Sequence, residues 1–523
     1  MFKLPRFCFV IIWVLLLGMP ITGFGAEEEL KAKIEALSKE LEALKQQVHK
    51  NEERSLEKWL TISGDYRFRY DYLRGEVPTY TQGYIAPPNP TIPGGYDASY
   101  PQMQGITIPK HDVENKSLYS NRFGLNLKAK ATKDVTVTAR LLMYKIAGAQ
   151  DDAALRDGNT AFSFDRAGLF DGTIGHVPGD NTLVVDRVYA TWSNIAGQPI
   201  WFSIGRRPST EGIPANLKQN RERPGNSGVP ALLVDYAFDG MTIGYAPDIE
   251  WLPGAYVKLC YGRGFQNSIT DTAGNGLHDT DMIGINIVPY DTDPLRIEFQ
   301  YNRGMNIFDA PPMKTGPFSF LKPTTNLGDI DWYGLNVIGR IKKVAIGDLN
   351  WFFSSAISKT HANEHTLQMA NPYLPAGSPL ISTPYGLLYT GTPEDNTGWA
   401  VLLGGRYDMN KGRTKIGLEY NHGSKNWITF APAADDMWTA KVGTRGDVYE
   451  IYLIQELDLQ PISSYLSKTF FRIGYQYYDF KYTGSNSWLG APIKISELTP
   501  QQAQLTAPLN KAQDLYATFE VHF

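Results

Sequence analysis

Residues 58–72 read Lys58-Trp59-Leu60-Thr61-Ile62-Ser63-Gly64-Asp65-Tyr66-Arg67-Phe68-Arg69-Tyr70-Asp71-Tyr72. Leu60, Ile62, Gly64, Tyr66, Phe68, Tyr70 and Tyr72 fall on one side of a two-residue repeat, and Thr61, Ser63, Asp65, Arg67, Arg69 and Asp71 on the other. A helix would scatter both sets around its circumference, whereas an extended strand separates them. The run also exceeds the usual globular strand of about 5–6 residues. The repeat returns at Phe123, Leu125, Leu127 and Ala129, at Leu295, Ile297, Phe299 and Tyr301, and at Ile416, Leu418 and Tyr420, with mostly polar residues between.

Working outward, the pattern predicts strands at 58–72, 118–131, 134–146, 183–194, 199–206, 230–238, 254–263 and 280–289. It predicts eight more at 294–303, 330–341, 343–354, 398–408, 413–422, 446–457, 468–481 and 513–523. Short turns such as Thr132 to Lys133 and Lys342 to Lys343 occur beside long connections such as Leu73 to Lys116 and Arg207 to Val229. A soluble sandwich lacks this asymmetry, and an outer-membrane barrel has it, with tight turns on the periplasmic side. Met241 to Tyr245 reads as an extra strand after the turn-like Asp239-Gly240. Both ends of a closed antiparallel barrel share a side only for an even count, so 239–253 is read as an elaborated turn. The expected fold is all-β, a 16-stranded transmembrane antiparallel barrel over 57–523, with 18 strands as the alternative.

The C-terminus adds Leu515, Ala517, Phe519, Val521 and Phe523 alternating with Tyr516, Thr518, Glu520 and His522. It resembles the strand by which bacterial outer-membrane proteins are recognised for insertion, and Phe519, Val521 and Phe523 are its expected signal.

Two further segments precede the barrel. Lys3 and Arg6, the apolar run Phe7 to Leu17, and the small residues Gly23 and Gly25 form a secretory signal peptide over 1–25. In 26–56, Leu30, Ile34, Leu37, Leu41, Leu44 and Val48 are spaced as a heptad seam flanked by Glu and Lys. The reading is a short coiled-coil helix between identical chains, with a lone amphipathic helix as the alternative.

Over the mature chain the sequence resembles a 16-stranded porin of Gram-negative bacteria, more narrowly the phosphate-selective type and related porin-like families with an N-terminal coiled coil. The residues that carry this are the Leu30 to Val48 heptads, the strand Val185 to Trp192, and Gly205-Arg206-Arg207-Pro208. The resemblance implies an outer-membrane location, a periplasmic N-terminal helix, and a homo-oligomer, favouring a trimer. It implies a water-filled channel for small hydrophilic solutes. The 44-residue first connection departs from the simple pattern, so no solute is carried over.

If apolar positions face outer-membrane lipid, the polar set lines a pore, which sixteen strands leave open. Arg67, Arg69, Arg140, Arg187, Arg296, Arg340 and Arg472 are expected there. Arg206, Arg207, Lys218, Arg221 and Arg223 are expected at a constriction formed by the third long loop. The basic excess predicts a modest anion preference. The alternative is a non-conducting structural or interaction barrel: a partner sheath, adhesin or envelope tether. Aromatic residues near strand ends, Trp201 among them, are expected in the headgroup zone.

Composition closes off other classes. Net charge −4 and pI ≈ 6.1 carry no nucleic-acid footprint. The 42% hydrophobic and 12% aromatic content excludes general disorder. His361-Ala362-Asn363-Glu364-His365 has the order of inverted zinc proteases, which would need a helix and a third ligand. It is read as incidental, so no enzyme activity, metal or cofactor is expected.

Overall fold

A computed structural model of the chain describes residues 59–85, 103–148, 178–179, 181–222, 229–267, 277–309, 323–369, 380–409, 412–431, 436–459, 467–504 and 506–523, with residues 39, 176, 224 and 375 singly. The signal peptide and the seam Leu30, Ile34, Leu37, Leu41, Leu44 and Val48 lie outside the described residues, as does Arg223. Two compact units are distinguished, Met1–Leu60 and Thr61–Phe523, and the second holds the barrel.

The barrel strands are β1 (Leu60–Val77), β2 (His111–Lys130), β3 (Val135–Ile146), β4 (Val184–Trp192), β5 (Ile200–Ser209), β6 (Tyr236–Tyr245), β7 (Tyr256–Phe265) and β8 (Thr280–Asp291). They continue as β9 (Leu295–Phe308), β10 (Asn326–Val344), β11 (Gly347–Ala362), β12 (Thr397–Met409), β13 (Thr414–Gly423), β14 (Gly446–Glu456), β15 (Lys468–Phe480) and β16 (Lys511–His522). All sixteen form one closed barrel. The first and last strands pair antiparallel from Asp65↔His522 to Glu76↔Lys511.

One strand sits differently from its expected place. The sixth runs Tyr236–Tyr245 and not 230–238, and Asp239-Gly240 passes straight through it. Gly240 serves close strand packing here, since a Cβ on it would strike the Tyr261 carbonyl oxygen of β7. The segment read as an extra strand is therefore the second half of β6, and the count stays at sixteen.

Near the end that carries the short turns, the wall has its polar side inward. Asp65, Arg67, Arg69, Arg122, Arg140, Lys258, Asn286, Glu298, Arg406, Lys415, Glu419, Glu450, Arg472 and Glu520 are buried. Their sequence neighbours Phe68, Ile285, Ile287, Phe299, Leu418, Ile451, Phe471 and Ile473 stand exposed on the outside. A soluble barrel has the opposite polarity, so this band is built for hydrocarbon.

Toward the end with the long connections, the polarity reverses. Inward positions become apolar, with Leu73 and Val77 on β1, Trp332 on β10, Leu402 on β12 and Phe480 on β15 all buried. Outward positions become charged: Arg303 on β9 pairs with Asp329 at 2.7 Å, and His422 on β13 with Asp447 at 2.8 Å. Strands such as β2 and β10, 20 and 19 residues long, exceed the roughly 9–11 residues a bilayer needs. Their surplus builds a second, water-facing storey around an apolar core.

Candidate functional site in the barrel lumen

The third long connection leaves β5 at Ser209 and folds into the barrel before β6 begins. Its short helix α1 (Ala215–Lys218) faces the β12–β15 wall, where two guanidinium groups take its last carbonyls. Arg406 donates to the Leu217 carbonyl at 2.6 Å, and Arg472 donates to that of Lys218. Beyond the helix, Lys415 donates to Asn220 Oδ1 at 2.6 Å, and Lys468 pairs with Glu222 at 2.8 Å. Lys218 itself reaches Glu450 at 2.6 Å. All but the exposed Lys468–Glu222 pair satisfy a buried charge or an orphan carbonyl, and together they fix the segment as a septum.

A second insert, between β13 and β14, meets the septum. Phe430 donates its N–H to the Leu233 carbonyl at 2.9 Å, and Thr429 Oγ1 donates to the same oxygen at 2.8 Å. Leu232, Leu233, Trp427, Ile428, Phe430, Val442 and Trp488 join Trp332, Phe352 and Leu402 of the wall in one buried apolar cluster. The buried indoles are satisfied, Trp332 Nε1 by the Ile428 carbonyl at 2.9 Å and Trp488 Nε1 by that of Phe308 at 2.7 Å. Strand alternation does not mark this insert. Its signal is the apolar run Trp427-Ile428-Thr429-Phe430-Ala431 within a connection, followed by Met437-Trp438.

Two cavities flank the septum. One, of about 100 Å³, is lined by Arg67, Arg69, Arg122, His176, Lys218, Arg221, Lys441, Arg472 and His522 against Glu211, Asp235, Glu419, Asp436 and Glu520. The other, of about 430 Å³, lies at the short-turn end and includes Arg207, Arg296, Arg340, Tyr189, Trp201 and Tyr256 in its lining. The expected lumen residues thus divide between two chambers. Most are paired: Arg472 with Glu520 at 2.6 Å, Arg221 with Glu211 at 2.8 Å, Arg340 with Asp348 at 2.6 Å, and Arg296 with Asp291 at 3.2 Å.

Arg140 and Arg187 join a third cluster. A bulge in β4 aims both Asp186 and Arg187 inward, where Asp186 accepts from Arg187 Nε at 2.8 Å and meets His176 Nε2 at 2.7 Å. Burial works against the His176 proton, but the charge and hydrogen bond of Asp186 outweigh it and lift its pKa to about 9. Burial likewise opposes charge on Glu211, yet Arg221, Arg140 and Arg187 hold its pKa well below the usual carboxylate range.

Two expectations are corrected. Arg206 does not line the lumen: it stands on the same side of β5 as exposed Ile204 and pairs with the exposed Asp239 at 3.0 Å. The Gly205-Arg206-Arg207 order puts only the second arginine inside. Trp201, expected in the headgroup zone, lines the larger cavity, because Gly244 across the strand pair leaves room for its ring.

His361 lies in the extended backbone of β11, one residue before its end, with Nε2 2.9 Å from Asp331 and Nδ1 3.2 Å from Asp395. His365 Nδ1 lies 2.9 Å from the Asn326 carbonyl. The two imidazoles do not share a helix face, and no group of three metal-ligating side chains occurs among the described residues.

A family model described as "Protein of unknown function (DUF3373)" matches residues 112–523. No curated protein matches. Similar solved structures include OprB of Pseudomonas putida at high pH, with 10% identity, a TM-score of 0.41, and coverage of 90% of this chain and 95% of that one. The outer-membrane expressed OmpT of Vibrio cholerae has 11% identity and a TM-score of 0.37, over 88% of this chain and 97% of that one. OmpF of Salmonella typhi, in complex with daunomycin, has 8% identity and a TM-score of 0.37, over 88% and 97%. At such scores nothing about this lumen follows from those proteins.

Proposed function

The chain belongs to the DUF3373 family, and we propose that it forms a narrow, porin-like channel in the outer membrane of a Gram-negative bacterium. In this reading it passes small hydrophilic solutes and is not an enzyme. The short turns face the periplasm, where the N-terminal coiled coil joins identical chains, a trimer being the form the porin resemblance implies. Phe519, Val521 and Phe523 supply the insertion signal.

The observation that carries the reading is the split wall, with exposed aliphatic side chains outside and a charged, hydrogen-bonded lining within. A modest anion preference is supported by the basic excess around the smaller cavity. The pairing of Lys218 and Arg221 with acids keeps that preference small. The apolar cluster at the long-loop end favours a second reading, a non-conducting barrel whose outer mouth is filled.

Planar-bilayer recording on the purified protein separates the two. Discrete steps, with a reversal potential on the anion side that shifts toward cations in Arg221→Ala, support the channel. A silent bilayer from correctly folded barrels supports the filled barrel, and a cation preference unmoved by Arg221→Ala ends the anion reading.

A further inference from the structure

The larger cavity combines two features that a bare water path does not need. The first is an aromatic wall. Trp201 lies over Gly244 of the neighbouring strand and meets Tyr256 edge-on, with centroids 6.1 Å apart at 71°. Tyr189 adds a third ring from β4. The second is a cation held in reserve. Arg207 lines the same cavity and lies over Tyr189, 5.5 Å from its centroid. Its guanidinium makes no hydrogen bond or ion pair with a described residue, and its Nε is buried without a partner.

The acids around it are engaged elsewhere. Asp291 pairs with Arg296 at 3.2 Å, Asp293 with Arg340 at 3.7 Å, and Glu222 with Lys468 at 2.8 Å. An inward guanidinium in a lumen where its neighbours are paired is poised for an external anion. Guanidinium geometry favours the two oxygens of a carboxylate. The volume of about 430 Å³ falls within the range of small-molecule pockets and exceeds what an inorganic ion fills.

We infer that this chamber is a binding site for small aromatic carboxylates, the carboxylate on Arg207 and the ring against Trp201 and Tyr256. The inference deepens the channel reading by naming a solute class, and rests on it for its sense as a transport site.

The test is isothermal titration calorimetry of the full-length protein in detergent with sodium benzoate, benzamide, cyclohexanecarboxylate and acetate. Benzamide lacks the charge, cyclohexanecarboxylate the aromatic face, and acetate the ring. Benzoate should bind at least about ten-fold more tightly than each, and Arg207→Gln should lose at least about ten-fold of that affinity, the scale of one charge-assisted pair. Arg207→Lys, which keeps charge but not the fork, should fall between. Barrel integrity in each variant is checked by heat-modifiable migration on a gel. Benzoate no tighter than acetate or benzamide, or affinity unchanged in folded Arg207→Gln, overturns the site. Conductance of the same unmodified preparation is scored separately: saturable benzoate binding without conductance ends the channel and leaves the site standing.

Discussion

His176 shows how one side chain ties a loop to the wall. Its imidazole faces Asp186 at 2.7 Å and Asp235 at 4.0 Å, with Arg140, Arg187 and Glu211 close by. Its pKa rises from 6.5 to about 9, so protonation is favoured in the folded state. The stability this contributes is fully present below 6.5 and is lost as pH rises through about 9. Amide protection at 181–186, taken as exchange relative to the intrinsic rate at each pH, should therefore fall between pH 7 and 10 in the unmodified protein. In His176→Gln it should already be low at neutral pH and change little over that range. Protection that does not depend on pH in the unmodified protein would contradict the assignment. This contact was not legible in the sequence, since His176 and Asp186 carry no motif and meet only because a bulge turns Asp186 inward. The orientation of Arg67, Arg69, Arg296 and Arg472 was legible, because strict alternation fixes it. Arg206 failed for the same reason: of two adjacent arginines on a strand, only one can face the lumen.

At the scale of the element, closure depends on a glycine. Gly64 donates to the Phe523 carbonyl at 2.7 Å, and Phe523 donates back to Gly64 at 3.0 Å, completing the seam between β1 and β16. A Cβ at Gly64 would meet both the Phe523 ring and the Gly124 carbonyl oxygen of β2. Gly64→Val should cost about 1–3 kcal/mol by overpacking. It should lower the temperature at which the folded band converts to the unfolded one on a gel. An unchanged midpoint would mean the seam relaxes freely. Strand existence was legible here because each strand repeats one simple rule. Where strands end was less so. β1 and β2 run on to Val77 and back to His111 because their upper inward residues meet an apolar core, which local alternation cannot reveal. The displacement of β6 has a similar source, for Asp239-Gly240 has turn chemistry in isolation and close strand packing in context.

For the whole molecule, the alternation specifies a wall and says little about its contents. The contents come from connections whose apolar residues, such as Leu232-Leu233-Val234 and Trp427-Ile428, find one another across the lumen. They bury together, and against the inward apolar residues Trp332, Phe352 and Leu402 of the wall, because that removes their apolar surface from the water of the lumen. The lower storey thus holds charged chambers, and the upper holds an apolar cap. If solutes pass, they pass where the cap gives way, so its packing should set the conductance. Leu233→Ser with Phe430→Ser removes two buried side chains at the point where the septum joins the second insert. Each truncation in such a core costs about 2–5 kcal/mol, enough to loosen the cap while the sixteen-stranded wall, held by its own ladders, stays closed. The expected result is larger single-channel steps and faster swelling of protein-loaded vesicles in sugar solutions, with unchanged heat-resistant migration. Equal steps in the double variant and the unmodified protein would mean that the path avoids the cap. Solutes would then have to move along the β1–β5 side of the septum.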